Sequence, residues 1–334
     1  MTVDIYFGTY TRRLSQGIYR AQFDQTKGQL TDLTLWAAEP SPTYLSLHPQ
    51  GIFSVGAEDK NGGIAAYNAE GQLLNRVLEE GAPLCYVAYD KDRDLVYGAN
   101  YHKGEVLVYR KEKDGSLSLA DKVAYEGAGP HANQDKAHAH YADLAPDGYL
   151  VTCDLGSDQV HSYQVDENGH LTEVGIYQSQ PGAGPRHLVF HPQYKTAYLI
   201  CELNGTIEVL IYDGMGQFER MQVISTLPDE YTDFNAGAAI RLSKDGRYLY
   251  ASNRGHNSIA VYKVLRDGSL KLIEIVSSQG ETPRDFQLSP NDRFLIVPHQ
   301  DSDHVTVFER DLETGRLRLI SNSFHVPEAV CVSF

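Results

Sequence analysis

Charged or titratable residues, namely one histidine, two arginines and one glutamate, occupy one position in four copies of a pattern that this sequence repeats seven times. The position lies six residues before a turn, and its occupants are Thr43, Leu84, His140, Arg186, Ala238, Arg284 and Glu328. A second set of polar residues, which includes Glu202 and Arg254, ends the apolar strand that follows each turn. Histidine and glutamate can act as general bases, and the planar guanidinium of arginine binds phosphate or carboxylate through two donors. These residue types indicate acid–base chemistry on an anionic substrate.

The elements that must position these residues are short strands. Each repeat opens with an eight-residue segment such as Pro42–Pro49, and the segments start roughly 40–56 residues apart. A second strand follows the turn, as in Ala197–Glu202, and then a third, as in Ser258–Tyr262. A glycine such as Gly115 then opens a fourth. β-Branched and aromatic residues between Gly, Asp and Asn turns are typical of strands, and four antiparallel strands per repeat predict a β-propeller blade.

The two ends of the chain complete one another in this pattern. The last repeat, Pro327–Phe334, supplies only a first strand, whereas the N-terminus begins at a second strand. We therefore predict an all-β, seven-bladed β-propeller with four antiparallel strands per blade. Its ring would be closed by pairing of Cys331–Phe334 with Ile5–Thr9, and residues 1–334 would form a single domain.

Composition excludes several classes of function. The net charge of −15 disfavours nucleic acid and anionic membranes as partners, because both require clustered Lys and Arg. We find no apolar run of membrane-spanning length and no charged-then-apolar leader, so we expect a cytoplasmic protein. The four cysteines lack CxxC spacing and are expected to be reduced core thiols. No cofactor is expected, and the oligomeric state is not predicted.

Antiparallel pairing places the start of each first strand and the end of each second strand on one face. Seven of the thirteen histidines map to that face: His102, His131, His138, His140, His187, His256 and His299. The alternate spacing of His138 and His140 would suit a metal, but a third ligand is missing, so no metal site is expected. Arginines on this face would create a local positive field in an acidic protein.

Several segments resemble a known family. They are Gly182–Pro192, Ala197–Asn204, Asp245–Arg254, Thr282–Phe286 and Ile5–Tyr10. They resemble the bacterial propeller-type 6-phosphogluconolactonases, and also the fungal carboxy-muconate cyclases that share their fold. The resemblance implies an active-site set that falls on His140, Arg186, Glu202 and Arg254. It also makes Arg284 a plausible anion contact, and we predict that His138 and His187 help to bind the substrate.

The resulting hypothesis is hydrolysis of a small anionic sugar δ-lactone, with 6-phosphogluconolactone of the pentose phosphate pathway as the first candidate. His140 or Glu202 would activate water, Arg186 would stabilise the oxyanion, and Arg254 and Arg284 would hold the phosphate. One alternative is a muconate-type lactone cycloisomerase on the same site, and another is a non-catalytic propeller that binds partners. A calcium-dependent lactonase is disfavoured because arginines in the channel would repel the cation.

Overall fold

The computed structural model describes all residues from Met1 to Phe334, and its regular secondary structure consists of strands alone. Seven antiparallel sheets of four strands make up the fold, which confirms the predicted seven-bladed β-propeller. The chain divides into two compact units. The first unit comprises Met1–Trp36, His187–Ile211 and Arg220–Phe334, and the second comprises Ala37–Arg186 and Tyr212–Glu219. The single domain over residues 1–334 stays a prediction.

The strands follow one another along the chain. In chain order they are β1 (Thr2–Thr9), β2 (Gly17–Asp24), β3 (Gln29–Ala38), β4 (Leu45–His48), β5 (Gly51–Glu58), β6 (Asn61–Asn68), β7 (Leu73–Glu80), β8 (Tyr86–Asp90), β9 (Leu95–Asn100), β10 (Glu105–Lys111), β11 (Leu117–Ala124), β12 (Ala139–Leu144), β13 (Leu150–Asp154), β14 (Gln159–Val165), β15 (Leu171–Gln178), β16 (Pro185–Phe190), β17 (Thr196–Cys201), β18 (Thr206–Tyr212), β19 (Phe218–Ser225), β20 (Ala236–Leu242), β21 (Tyr248–Arg254), β22 (Ser258–Val264), β23 (Leu270–Ser277), β24 (Gln287–Leu288), β25 (Phe294–Pro298), β26 (His304–Arg310), β27 (Leu317–His325) and β28 (Ala329–Ser333). One sheet has the order β28-β1-β2-β3, and each later sheet takes the next four strands.

Burial explains why inner and outer strands differ in sequence. Every residue of β9 is buried, which suits its continuous run of mostly apolar residues. In the same sheet, β11 is largely exposed and carries polar residues between apolar ones. It begins two residues after Gly115, whose φ of +86° favours glycine. The fourth strands therefore begin where the turn glycines predicted them.

The predicted closure of the propeller is confirmed in the first unit. Strand β28 pairs with β1 in antiparallel register, with Tyr6 opposite Ser333, Phe7 opposite Val332 and Gly8 opposite Cys331. The two strands share a buried apolar cluster whose members include Ile5, Phe7, Phe23, Phe294, Val305 and Val332. The C-terminal residue of the chain therefore lies beside strands that begin at its N-terminus.

The first strand of the sixth repeat is shorter than its pattern indicated. A strand was predicted from Pro283 onward, but β24 spans only Gln287–Leu288. The buried carboxylate of Asp285 accepts a hydrogen bond from Arg241 Nη2 at 2.7 Å and another from the backbone N–H of Val332 at 3.2 Å. A side chain therefore satisfies the Val332 N–H donor beside this segment.

None of the four cysteines forms a disulfide bond, and Cys153, Cys201 and Cys331 are buried while Cys85 is partly buried, as expected for core thiols. No helix in the structure has the length and apolar character needed to cross a membrane.

His299 links the stability of the first unit to pH. Its side chain is fully buried, its Nδ1 faces the carbonyl oxygen of His304 at 3.2 Å, and its Nε2 has no hydrogen-bond partner. Burial lowers the pKa of His299 from 6.5 to about 4. Because the unfolded chain binds the proton more tightly, stability is complete above pH 6.5 and falls as the pH approaches 4. The expected loss across this window is about 3 kcal/mol.

Urea denaturation at pH 7.5 and pH 4.5 tests this effect. The His299→Phe variant keeps a ring but cannot titrate, so its stability should change less between the two pH values than that of the wild type. His170→Gln, at a largely exposed histidine, is the matched control and should retain the wild-type pH dependence. An unchanged pH dependence in His299→Phe would contradict the assignment.

Candidate active site

An ion pair between Arg254 and Glu202 lies at the strand ends of the first unit. Arg254 is the last residue of β21, and Glu202 follows β17 directly. Arg254 Nη2 lies 2.7 Å from Glu202 Oε2 and also donates to the carbonyl oxygen of Gly237 at 3.0 Å. The two side chains are 12% and 16% exposed, so the pair is shielded from water yet open to a ligand. Two residues predicted for the site are thus in direct contact.

A close approach between two blades brings this pair together. The N–H of Gly237 in β20 donates to the carbonyl oxygen of Glu202 at 2.9 Å. A Cβ added at Gly237 would lie 2.9 Å from the carbonyl oxygen of Cys201, a distance that real Cβ atoms essentially never show. Gly237 also pairs with Asn253, next to Arg254. The glycine therefore allows β20 to approach the end of β17 and sets Arg254 beside Glu202.

Arg284 supplies a second guanidinium group near Arg254. It precedes β24, is partly exposed, and forms no hydrogen bond or ion pair with another residue. Burial lowers the pKa of Arg254, the Glu202 carboxylate raises it, and the positive charge of Arg284 lowers it. Arg254 Nε is also buried without a hydrogen-bond partner. Two neighbouring guanidinium groups with unused donors can bind an anion such as phosphate.

Tyr10 is a site candidate that the repeat pattern did not single out. It follows β1 directly, just as Glu202 follows β17, so it occupies the same position in its sheet. Its side chain is partly exposed and lies within electrostatic reach of Arg254, and its hydroxyl has no hydrogen-bond partner in the protein. Applying the alignment of second-strand ends to the N-terminal blade would have revealed it.

Phe234 is the second residue that the sequence analysis missed. Its side chain is 74% exposed, in the loop between β19 and β20. The Phe234 carbonyl oxygen accepts a hydrogen bond from the Tyr231 hydroxyl at 2.9 Å and would lie 2.3 Å from a Cβ added at Gly255. The Tyr231 ring also meets the His256 ring edge-on at 4.5 Å. An exposed aromatic ring is therefore held beside the residues that follow Arg254, and an aromatic residue in a polar loop was its only sequence signal.

In the second unit, His138 and His140 lie near the same aromatic ring. The His138 ring stacks on Tyr101 with centroids 4.2 Å apart, and the His140 ring meets Tyr101 edge-on at 5.9 Å. Nδ1 of His138 faces the Tyr101 carbonyl oxygen and Nε2 faces Asp135, both at 2.9 Å. Both nitrogens of His138 are therefore engaged by protein groups, which suits a role in holding the segment from Asp135 to His138.

The other predicted site residues are buried. Arg186 is the second residue of β16, lies in the second unit and is 2% exposed, while His187 belongs to the first unit and is 3% exposed. His140, in β12, is likewise only 3% exposed. No group of three or more His, Cys, Asp or Glu side chains is arranged to hold a metal ion. The first unit thus brings together Glu202, Arg254 and Arg284. The roles of all the predicted site residues stay predictions, including those of His138, His140, Arg186 and His187.

Comparisons with known proteins agree with the fold. The family model described as Lactonase, 7-bladed beta-propeller, matches residues 4–334. The 6-phosphogluconolactonase of Bacillus subtilis is 42% identical over 340 residues, which cover 98% of this chain and 97% of the relative. A crystal structure of a Lactobacillus plantarum protein superposes with a TM-score of 0.98 at 46% identity, covering 100% of this chain and 99% of that one.

The periplasmic gluconolactonase PpgL of Pseudomonas aeruginosa has the same architecture. It superposes with a TM-score of 0.93 at 29% identity, covering 100% of this chain and 99% of that one. The similarity therefore extends over the whole propeller, including the strands that carry Glu202 and Arg254. From the family match and these relatives together, the chain belongs to the family of seven-bladed β-propeller lactonases.

Proposed function

We propose that this protein hydrolyses 6-phosphogluconolactone to 6-phosphogluconate, as an enzyme of the pentose phosphate pathway in the cytoplasm. The observation that carries the proposal is the pair of guanidinium groups at Arg254 and Arg284, which retain unused donors in a protein of net charge −15. A local positive field of this kind attracts a small anion despite the acidic surface. The name of the Bacillus subtilis relative supports the same substrate.

The chemistry required is that of an activated ester. A water oxygen attacks the lactone carbonyl carbon while a general base takes a proton from that water, and an oxyanion forms on the carbonyl oxygen. When the carbonyl re-forms, the bond between the carbonyl carbon and the ring oxygen breaks. The ring oxygen takes up the proton that the base received from water, the new carboxylic acid releases its own proton, and the product is an open-chain carboxylate that carries the phosphate. The protein must therefore hold the anion, position the water and stabilise the oxyanion.

The contacts in the first unit suit the first of these tasks. Arg284 makes no internal hydrogen bond, so its donors can reach phosphate oxygens, and Nε of Arg254 is a buried donor without a partner in the protein. Glu202 is engaged with Nη2 of Arg254, which orients that guanidinium. In this proposal His140 or Glu202 is the general base, and Arg186 stabilises the oxyanion.

The Arg284→Gln variant tests the phosphate assignment. The wild type should hydrolyse 6-phosphogluconolactone faster than the spontaneous reaction, with or without EDTA, and should prefer it to glucono-δ-lactone. Arg284→Gln should raise the KM for the phosphorylated lactone by about 10- to 100-fold, because it removes charge-assisted hydrogen bonds to the phosphate. Its KM for glucono-δ-lactone should stay within about twofold of the wild type. Initial rates corrected for spontaneous hydrolysis provide the measurement.

Arg293→Gln provides the matched control. Arg293 is a partly exposed arginine of the same unit that already pairs with Glu309, at 3.1 Å. Its replacement should leave both KM values unchanged. If the wild type shows no turnover above the spontaneous rate, the hydrolase proposal falls, and cycloisomerisation of an unsaturated acid becomes the reaction to assay. Equal KM increases for both lactones in Arg284→Gln would show that Arg284 does not bind the phosphate group.

A further inference from the structure

The carboxylate of Glu328 is enclosed by backbone N–H groups of a distant part of the chain. Its oxygens accept four backbone hydrogen bonds, from Arg12 at 3.0 Å, Arg13 at 2.9 Å, Leu14 at 2.9 Å and Ser15 at 3.1 Å. Glu328 is only 2% exposed, and it adopts a φ of +52°, which few non-glycine residues do. Consecutive N–H groups that converge on one point form an anion-binding nest, and here a carboxylate of the protein occupies it.

The pKa of the Glu328 carboxyl agrees with its position among backbone N–H groups. Burial raises the pKa of its carboxyl, but the four backbone N–H groups lower it by more, so the pKa lies below its ordinary value. The backbone N–H of Glu328 also donates to Asp303 Oδ1 at 2.8 Å, and Asp303 pairs with Arg13 at the same distance. Glu328 therefore remains a carboxylate and ties the segment Arg12–Ser15 to the residues that precede β28.

The same contacts fix the position of Tyr10, the residue that begins this loop. The Tyr10 N–H donates to the carbonyl oxygen of Glu328 at 3.0 Å, and the Arg12 guanidinium carbon lies 3.8 Å from the centre of the Tyr10 ring. At the far end of the loop, the hydroxyls of Thr9 and Ser15 are hydrogen-bonded at 2.5 Å. The loop is thus held at both ends and along its backbone, although its side chains are mostly exposed.

Tyr10 occupies the same topological position in its sheet as Glu202, directly after the second strand, and Arg254 ends the second strand of a third sheet of the first unit. Chain connections at this end of the first unit therefore carry a phenol, a carboxylate and a guanidinium group. The Tyr10 hydroxyl makes no hydrogen bond within the protein. A neutral donor beside two arginines with unused donors would complete the coordination of a bound anion.

We propose that Tyr10 is a substrate-binding residue, whose hydroxyl donates a hydrogen bond to the anionic group held by Arg254 and Arg284, and that Glu328 is the residue that positions it. This inference rests on the proposed function for the identity of the substrate. It assigns binding to a residue outside the predicted site set. It also gives the connection between β27 and β28 a role in the site, through its backbone and through the buried carboxylate of Glu328.

The test combines kinetics with direct binding in Tyr10→Phe, Glu328→Gln and the double variant. Tyr10→Phe should raise the KM for 6-phosphogluconolactone and the Kd for 6-phosphogluconate by about tenfold, with kcat within about twofold of the wild type. Glu328→Gln should produce a similar rise, because its amide N–H groups would face the donors of the nest. If Glu328 acts through Tyr10, the double variant should bind 6-phosphogluconate no more weakly than whichever single variant has the higher Kd.

Glu39→Gln is the matched control for loss of a buried carboxylate. Glu39 is also 2% exposed, and its carboxylate accepts hydrogen bonds from Ala57, Tyr67 and Arg76. Its replacement should lower the melting temperature but leave KM and Kd unchanged. Hydrogen exchange at residues 12–15 should accelerate in Glu328→Gln and stay at the wild-type rate in Tyr10→Phe.

Titration with inorganic phosphate separates this inference from the proposed reaction. If the lactone is not hydrolysed but Tyr10→Phe still weakens phosphate binding about tenfold, the reaction is wrong and the Tyr10 site stands. Wild-type affinity for phosphate and 6-phosphogluconate in Tyr10→Phe would overturn the inference whatever the substrate. Additive losses in the double variant would overturn the positioning role of Glu328. Should Glu328→Gln fail to fold, the Tyr10→Phe result alone decides the binding assignment.

Discussion

The Arg254→Lys variant is expected to lower kcat/KM for 6-phosphogluconolactone by about 100-fold or more. Lysine keeps the positive charge but cannot bond to Glu202 Oε2 and the Gly237 carbonyl oxygen while presenting a further donor at the position of Nε. It also leaves Glu202 without its oriented partner. Because lysine keeps a positive charge beside the Glu202 carboxylate, the replacement should cost little stability, and the defect should appear in steady-state kinetics.

A second arginine–carboxylate pair of the first unit provides the control. Arg310 pairs with Asp292, in the turn between β24 and β25, at the end of its sheet opposite to the strand ends that carry Glu202 and Arg254. Arg310 is more deeply buried than Arg254, so Arg310→Lys should lower the melting temperature more than Arg254→Lys does. Its kcat/KM should nevertheless remain near the wild-type value. If Arg254→Lys retained a third or more of wild-type activity, the simultaneous contacts of the Arg254 guanidinium with Glu202, the Gly237 carbonyl oxygen and the substrate would not be needed for the reaction.

Removal of the last six residues, Ala329–Phe334, is expected to unfold the protein at ambient temperature or to abolish soluble expression. The deletion removes β28, the only strand that covers the inner edge of β1. It exposes the apolar cluster around Phe7 and Phe23, against which Val332 and Phe334 pack. Each large apolar side chain contributes about 1.5–3 kcal/mol on burial, and the total stability of a folded protein is about 5–15 kcal/mol. The lost burial and pairing are therefore comparable to the whole stability.

Circular dichroism and thermal denaturation measure this effect. Val332→Ala is the graded control, and it should reduce stability by about 1–3 kcal/mol while leaving the fold intact. A peptide of residues 326–334 should partly restore the melting transition of the truncated chain by pairing with β1. A truncated protein that melts within a few degrees of the full-length chain would show that the closing strand is dispensable.

The sequence alone predicted the strands, their order and the closure by the chain ends. These features depend on local patterns, namely β-branched and aromatic alternation and turn glycines such as Gly115, which act within a few residues. The candidates Glu202, Arg254 and Arg284 also followed from repeat alignment, because equivalent positions in successive blades lie on the same face. The family match extends over the same segments that first suggested it.

Contacts between residues that are far apart in the sequence could not be predicted from the sequence. Glu328 occupied a position predicted to lie on the face that carries the site, but its carboxylate binds four N–H groups more than 300 residues away, as their sequence separations of 313 to 316 show. His299 was predicted on the same face, yet it is fully buried. Burial and hydrogen-bond partners depend on which loops fold over a residue, and no local pattern encodes that choice.

Local periodicity therefore determined that this protein is a seven-bladed propeller and which strand ends carry its charges. Only the tertiary structure decided that Glu202 pairs with Arg254, that Arg284 keeps its donors unused and that Tyr10 is held in place by Glu328. The reason is physical. Strand formation is governed by interactions between near neighbours in sequence, whereas the pairing of charges is governed by distances that exist only once the blades have packed.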